Sequence, residues 1–303
     1  NPAARAMISA RCDLWLFPAQ DILAYQAPVP ALVAVHDLMH RYERRFPEVA
    51  SSGRYAAREQ RFSGIARSAK SMLVDSEVGR QQFVESYGAD PGRIFPLPYV
   101  TPGYIHEPTR AGFEDRHRLP AKFAFYPAQF WEHKNHARLV AAAASVCRKH
   151  PDIHLVFSGS LSHKYKALAA YAKSAGMIDR VTFAGRVPDE DMAEFYRRAR
   201  CMLMPTFFGP TNIPPLEAFA LGCPVAVSGI YGMPEQTGGA ALLFNPESVE
   251  EIAACLDRLW SDDALCAELR QKGLARAAAW NQDAFNVRFR DIVEGVLAMR
   301  APA

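Results

Sequence analysis

Apolar runs too short to form the core of a helix alternate with helix-length segments along the whole chain. Such runs lack the polar alternation of half-buried strands, so they read as strands covered on both faces, and strands that alternate with helices build parallel α/β sheets. Runs at 13–17, 31–35, 71–74 and 93–97 predict a first set of strands, with helices over 3–11, 55–69 and 77–87. Pro96, Pro98, Pro102 and Pro108 then crowd one segment, where proline breaks both helix and ladder. A boundary is expected there, with a first domain over 1–110, a second over 118–282 and a C-terminal helix at 283–303 packing back on the first.

The second series predicts strands at 123–127, 153–157, 181–184, 201–205, 224–227 and 241–244. Helices are expected over 135–150, from 160 to about 175, over 189–199 with Asp189 as N-cap, and over 214–221 with Gly222 as its stop. The rest of the chain reads as helical. Length agrees with two domains, since 303 residues are about twice a typical domain of roughly 150. In sheets of this kind ligands bind beyond the carboxyl ends of the strands, so the loops there are where chemistry is sought.

Composition excludes several classes. Lys and Arg (35) nearly balance Asp and Glu (32) for a net charge of +3, which argues against a nucleic-acid partner. The longest apolar stretch, 218–227, contains Gly222 and Pro224 and falls well short of the roughly 20 residues that span a bilayer. Six cysteines without a CxxC pair read as reduced core residues of a cytoplasmic protein. No HExxH, GxSxG or GxxxxGK[ST] is present, and no His/Cys spacing predicts a metal site. Trp131, Trp260 and Trp280 fit core or cleft packing.

The stretch 205–228, PTFFGPTNIPPLEAFALGCPVAVS, carries the most information. A strand ends, a loop of Gly209, Pro210, Thr211, Asn212 and Ile213 follows, and a helix opens at Pro214 and Pro215, so backbone amides and the helix dipole are expected to face an anion. Glu217 in the first helical turn serves equally as a partner for that dipole. A second junction, YPAQFWEHKN at 126–135, sets Lys134 at a helix start, where a solvated surface lysine is the plain alternative. His36 follows the strand 31–35, a position where most histidines are structural.

Glu217-Ala218-Phe219-Ala220-Leu221-Gly222-Cys223-Pro224-Val225 resembles the nucleotide-binding motif of the retaining nucleotide-sugar glycosyltransferases of family 4. These have the GT-B fold, two Rossmann-like domains facing across a cleft. The resemblance implies that Glu217 binds the ribose diol of the donor and Lys134 its diphosphate, with Gln129 standing where the family has Arg. It implies that Gly159 lies in the turn beneath the nucleotide, that Val187 frames the base, and that His36 faces the donor sugar; Ser76 matches another recurrent position. The family's first motif glutamate is replaced by Gly209, so the sugar-proximal work is expected of Pro210, Thr211, Asn212, Ile213 and their amides. Pro234-Glu235 and Asn245-Pro246 fit the later pattern.

The implied activity is transfer of a hexose or deoxyhexose, of mannose or rhamnose type, from a nucleoside diphosphate sugar to a glycan or lipid-linked glycan hydroxyl with retention. No cofactor or metal is implied, and a peripheral membrane contact through the first domain, at the inner face, is expected. The family's opening strand and glycine-rich loop have no match, so the first domain is expected to be incomplete. Alternatives left open are a sugar-nucleotide-binding protein without turnover and another GT-B enzyme, such as a nucleotide-sugar epimerase or a phosphorylase.

Overall fold

The computed structural model describes residues 2–161 and 163–299. The chain divides into two compact units: the first runs to Tyr99 and takes in Gly209–Thr211 and the chain from Gln282 onward, and the second comprises 100–208 and 212–281. No described helix is long and apolar enough to cross a membrane.

In the first unit four parallel strands, β1 (Trp15–Phe17), β2 (Ala31–Ala34), β3 (Ser71–Val74) and β4 (Ile94–Pro96), lie in that order. The helix α1 (Pro2–Ala10) precedes β1, and the strands are joined in chain order through α2 (Leu23–Gln26), then α3 (Met39–Tyr42), α4 (Pro47–Ala50) and α5 (Arg54–Ser68), then α6 (Glu77–Tyr87). Every residue of β3 is buried, as its unbroken apolar run predicts. The α5 helix buries Phe62, Ile65 and Ala66, and Gly64 lets the Tyr25 ring of α2 lie against it, where a Cβ would meet Tyr25 Cδ2 at 2.6 Å. Ser76 caps α6: its hydroxyl accepts from Gly79 N at 3.0 Å.

The second unit holds six parallel strands, β5 (Ala124–Pro127), β6 (Leu155–Ser158), β7 (Val181–Gly185), β8 (Cys201–Met204), β9 (Val225–Ser228) and β10 (Ala241–Phe244). Their spatial order is β10-β9-β8-β5-β6-β7, so the sheet grows one way from β5 and the other way from β8. The helices are α7 (Phe113–His117), α8 (His136–Val146), α9 (His163–Ser174), α10 (Asp189–Arg198), α11 (Pro214–Ala220), α12 (Met233–Thr237), α13 (Val249–Ser261) and α14 (Asp263–Ala279). The core is aromatic around Phe123, Phe125, Phe157, Phe195 and Tyr196, all fully buried. The last helix, α15 (Gln282–Ala298), belongs to the first unit and buries Ile292 and Val296.

Some expectations are corrected. The units divide after Tyr99, at the near edge of the boundary expected over 100–118, and Ile105 and Phe113 are buried in the core of the second unit. Asp189 is the first residue of α10 and Pro188 its N-cap; Asp189, Glu190 and Asp191 together set carboxylates in the first turn, which the helix dipole favours. The α8 helix starts at His136, since Asn135 has φ +60°. Trp260 is buried as expected, but Trp131 is 48% exposed, and Cys12 is exposed while Cys201, Cys223, Cys255 and Cys266 are buried.

The segment entering the second unit is fastened by charge. Asp191, fully buried, accepts from Arg116 Nη2 at 2.6 Å and Nε at 3.1 Å and pairs with His117 Nε2 at 2.7 Å. Burial works against this carboxylate, but the bonds and charges of Arg116 and His117 outweigh it and hold its pKa below the ordinary value. A depressed carboxylate stabilises the fold above its unfolded pKa of about 3.9, and the contribution is lost as pH falls through the lower folded value. Asp191→Asn is therefore expected to cost on the order of 2 kcal/mol at pH 7 and progressively less as pH falls below about 3.9, read by urea melts across that range.

Candidate functional site

The reversal between β5 and β8 is a topological switch point, where loops leaving adjacent strands part at the carboxyl edge, the place at which sheets of this kind bind ligands. The loop after β5 is tightly held. Ala128 N donates to Ser158 O at 2.9 Å, and Gly159 packs so near that a Cβ there would meet Ala128 O at 2.4 Å, so only glycine fits. Gln129 accepts from Ser160 N through Oε1 at 3.1 Å. The buried Tyr126 hydroxyl donates to Lys134 O at 3.0 Å, which fixes the backbone from which the half-buried Lys134 projects.

Asn135 ties together the loops on both sides of the switch point. In its left-handed conformation it directs Nδ2 to Pro205 O at 3.0 Å and Pro246 O at 2.9 Å, joining the loops after β5, β8 and β10. The loop after β8 is also bound to its neighbour: Phe207 N donates to His133 O at 2.8 Å, and the His133 ring stacks on Phe208 at 3.7 Å between centroids.

The chain then turns at Gly209, whose φ of +94° is outside the range of an ordinary side chain. Asn212 is locked by a reciprocal pair with Gln236: Asn212 N donates to Oε1 at 3.1 Å, and Gln236 Nε2 donates to Asn212 O at 2.7 Å. Ile213 is 40% exposed and Pro210 is buried. The amides expected to face an anion are largely committed elsewhere. Pro214 and Pro215 have no N–H, Leu216 N and Glu217 N both donate to Ile213 O, and Thr211 N and Asn212 N bond to side chains.

Glu217 is 4% exposed, and each carboxylate oxygen has a phenolic partner. Tyr196 donates to Oε2 at 2.5 Å, and Tyr104 donates to Oε1. Burial raises its pKa, and the two tyrosine hydrogen bonds pull it back down. Nearby along the carboxyl edge Gly159 N donates to Gly185 O at 2.8 Å, and Arg186, the buried Val187, Pro188, Asp189 and Glu190 line a hollow of about 350 Å³. Gln129, Lys134, Gly159, Val187, Asn212, Ile213 and Glu217 all belong to the second unit.

His36, Gly209, Pro210 and Thr211 belong to the first unit. There, beyond the carboxyl ends of its strands, a cavity of about 340 Å³ is lined by His36, Asp75 and Tyr99 among apolar side chains that include Leu97, Phe285 and Phe289. His36 Nδ1 bonds to the Tyr99 hydroxyl at 2.7 Å. Asp75 is 4% exposed and accepts from Thr211 N at 3.0 Å, from the Thr211 hydroxyl and from Ser76 Oγ at 3.1 Å. Burial pushes its pKa up to about 6 against the pull of those hydrogen bonds. Asp75, Tyr99, Tyr104 and Tyr196 are additions to the residues singled out from sequence. The one signal available was Asp75 at the end of an apolar run, beside Ser76.

Residues 112–276, more than half the chain, match the family described as Glycosyl transferases group 1. The D-inositol 3-phosphate glycosyltransferase of Acidothermus cellulolyticus is 28% identical over 251 residues, 78% of this chain and 54% of that protein. The O-antigen chain mannosyltransferase B of Escherichia coli is 35% identical over 97 residues, 32% of this chain and 26% of that one. The chain thus spans about half, or less, of these curated relatives. Among solved structures, sucrose-phosphate synthase from Thermosynechococcus elongatus superposes with a TM-score of 0.76 at 22% identity, covering 98% of this chain and 77% of the other. HepE from Anabaena, solved in complex with UDP-glucose, gives 0.78 at 16% identity, covering 98% and 82%. The shared fold is the GT-B class, built from Rossmann-like α/β units. By the match across its second unit, the chain belongs to the group 1 glycosyl transferases.

Proposed function

We propose that the chain carries the donor site of a retaining glycosyltransferase that moves a hexose or deoxyhexose, of mannose or rhamnose type, from a nucleoside diphosphate sugar to the hydroxyl of a glycan or lipid-linked glycan. The observation that carries this reading is the switch point between β5 and β8, since Lys134 lies between β5 and α8, and Glu217 in the first turn of α11 after β8, in the unit that bears the family match. Relatives described as mannosyltransferases and a structural neighbour solved with UDP-glucose support it.

In this reading the acceptor oxygen forms a bond to the anomeric carbon as the bond from that carbon to the diphosphate oxygen breaks. The acceptor proton passes to the departing diphosphate on the same face. Charge develops on that diphosphate, so a fixed cation contributes most to the rate, and Lys134 is assigned this role. Glu217 takes the ribose diol, Val187 and its hollow the base, and Gln129 and Gly159 the turn under the nucleotide. Asn212, Ile213 and the Gly209–Thr211 turn shape the sugar end, and His36 acts on the sugar rather than on the nucleotide. No metal or other cofactor enters the scheme, and the acceptor is met at the inner face of the membrane.

The second reading, a sugar-nucleotide-binding protein without turnover, draws on Gly209 and Gln129. Gly209 holds a backbone conformation that any side chain, glutamate included, would strain, and the Gln129 oxygen is already bonded to Ser160 N.

Glu217→Ala and Lys134→Ala are each expected to weaken nucleoside diphosphate binding by about 1.5–3 kcal/mol, measured by calorimetry. EDTA is expected to leave that affinity unchanged; wild-type affinity in both variants would remove the site assignment. His36→Ala is expected to keep nucleoside diphosphate affinity within about twofold and to lower kcat on the order of 100-fold. Tight binding of a sugar nucleotide with neither transfer nor slow hydrolysis would favour the binding protein.

A further inference from the structure

We propose that Tyr104 and Tyr196 are positioning residues of the nucleotide site, holding one oxygen each of the Glu217 carboxylate so that the remaining lone pair on each oxygen is set for a vicinal diol. The proposal rests on the reading of Glu217 as the ribose partner. An ionised carboxylate has about four acceptor sites, two on each oxygen. Tyr196 takes one site on Oε2 at 2.5 Å and Tyr104 one on Oε1, which leaves one on each oxygen, the number that a cis-diol requires.

Both hydroxyls come from anchored frames. Tyr196 is fully buried on α10, edge-on to Phe125 at 5.1 Å between centroids. Tyr104 lies on the 3-10 turn Gly103–His106, whose Ile105 is fully buried in the same core. Thr101 Oγ1 donates to Leu216 O at 3.4 Å, so the segment leading to Tyr104 is tied to the residue just before Glu217. Burial raises the Glu217 pKa and the two tyrosine hydrogen bonds lower it, so the tyrosines favour the ionised carboxylate, which keeps both oxygens as acceptors for a diol.

The test compares Tyr104→Phe, Tyr196→Phe and the wild-type chain by calorimetry with UDP and GDP, each against its 2′,3′-dideoxy counterpart, with thermal midpoints taken in parallel. The wild-type chain is expected to prefer the ribose form of its nucleotide by about tenfold or more, the equivalent of 1.4 kcal/mol. Each variant is expected to lose at least about threefold of that preference, through weaker binding of the ribose form, while the dideoxy form binds as before. A purely structural role would lower both affinities together and leave the ratio unchanged, which overturns the proposal. So does a rise in affinity for the ribose form in Tyr104→Phe, which would make that hydroxyl a competitor of the diol. A wild-type chain indifferent to the diol overturns the assignment of Glu217 and this proposal with it, whereas retained preference in the variants overturns this proposal alone. If Tyr196→Phe does not fold, the half-buried Tyr104 carries the test.

Discussion

The side-chain amide of Asn135 is the interaction on which the second unit's working edge depends. Where a parallel sheet reverses its order, the loops leaving the two central strands diverge, and nothing in the strand ladder holds them together. Asn135 supplies that link through two hydrogen bonds to Pro205 O and Pro246 O, made possible by a backbone at φ +60°. Each neutral bond contributes about 1 kcal/mol, and an unpaired buried carbonyl costs about 1–3 kcal/mol. The same residue sets the start of α8 and, one position earlier, the exit of Lys134.

Glu217 and Asp75 show a shared solution to one electrostatic problem. Each is a carboxylate at 4% exposure, and the hydrogen-bond donors that reach them are hydroxyls and an amide rather than ammonium or guanidinium groups. Hydroxyl donors offset part of the desolvation cost without adding a compensating charge, so both pKa values stay raised. Asp191 is the contrast within the same protein, where a guanidinium and an imidazole bring the pKa below normal despite full burial of the side chain.

The strands were legible because parallel β structure buried on both faces imposes an unbroken apolar run, and β3, β6, β8 and β9 are buried at every position. The position of Lys134 and Glu217 beyond strand ends was legible because a helical turn follows each of those strands after a short loop. Their surroundings were not, since Tyr104 reaches Glu217 across 113 residues of sequence and Thr211 reaches Asp75 across 136. Proline spacing showed where ladders must break near residue 100, but not which core would claim Ile105 and Phe113. The amides around α11 looked available from the loop's composition, and only the fold reveals that Asp75 and Gln236 accept from them.

Gly209 has a consequence for how this loop can change. At φ +94° a side chain of any kind strains the backbone, so a glutamate cannot be placed there by exchanging one residue while the turn keeps its shape. The turn is in turn fixed by Thr211 on Asp75 and Asn212 on Gln236, so reshaping it would disturb contacts at both flanks. The GPTN turn is thus held in one shape, since replacing Gly209 calls for several simultaneous changes, and descendants of this sequence should vary around the turn rather than drift out of it.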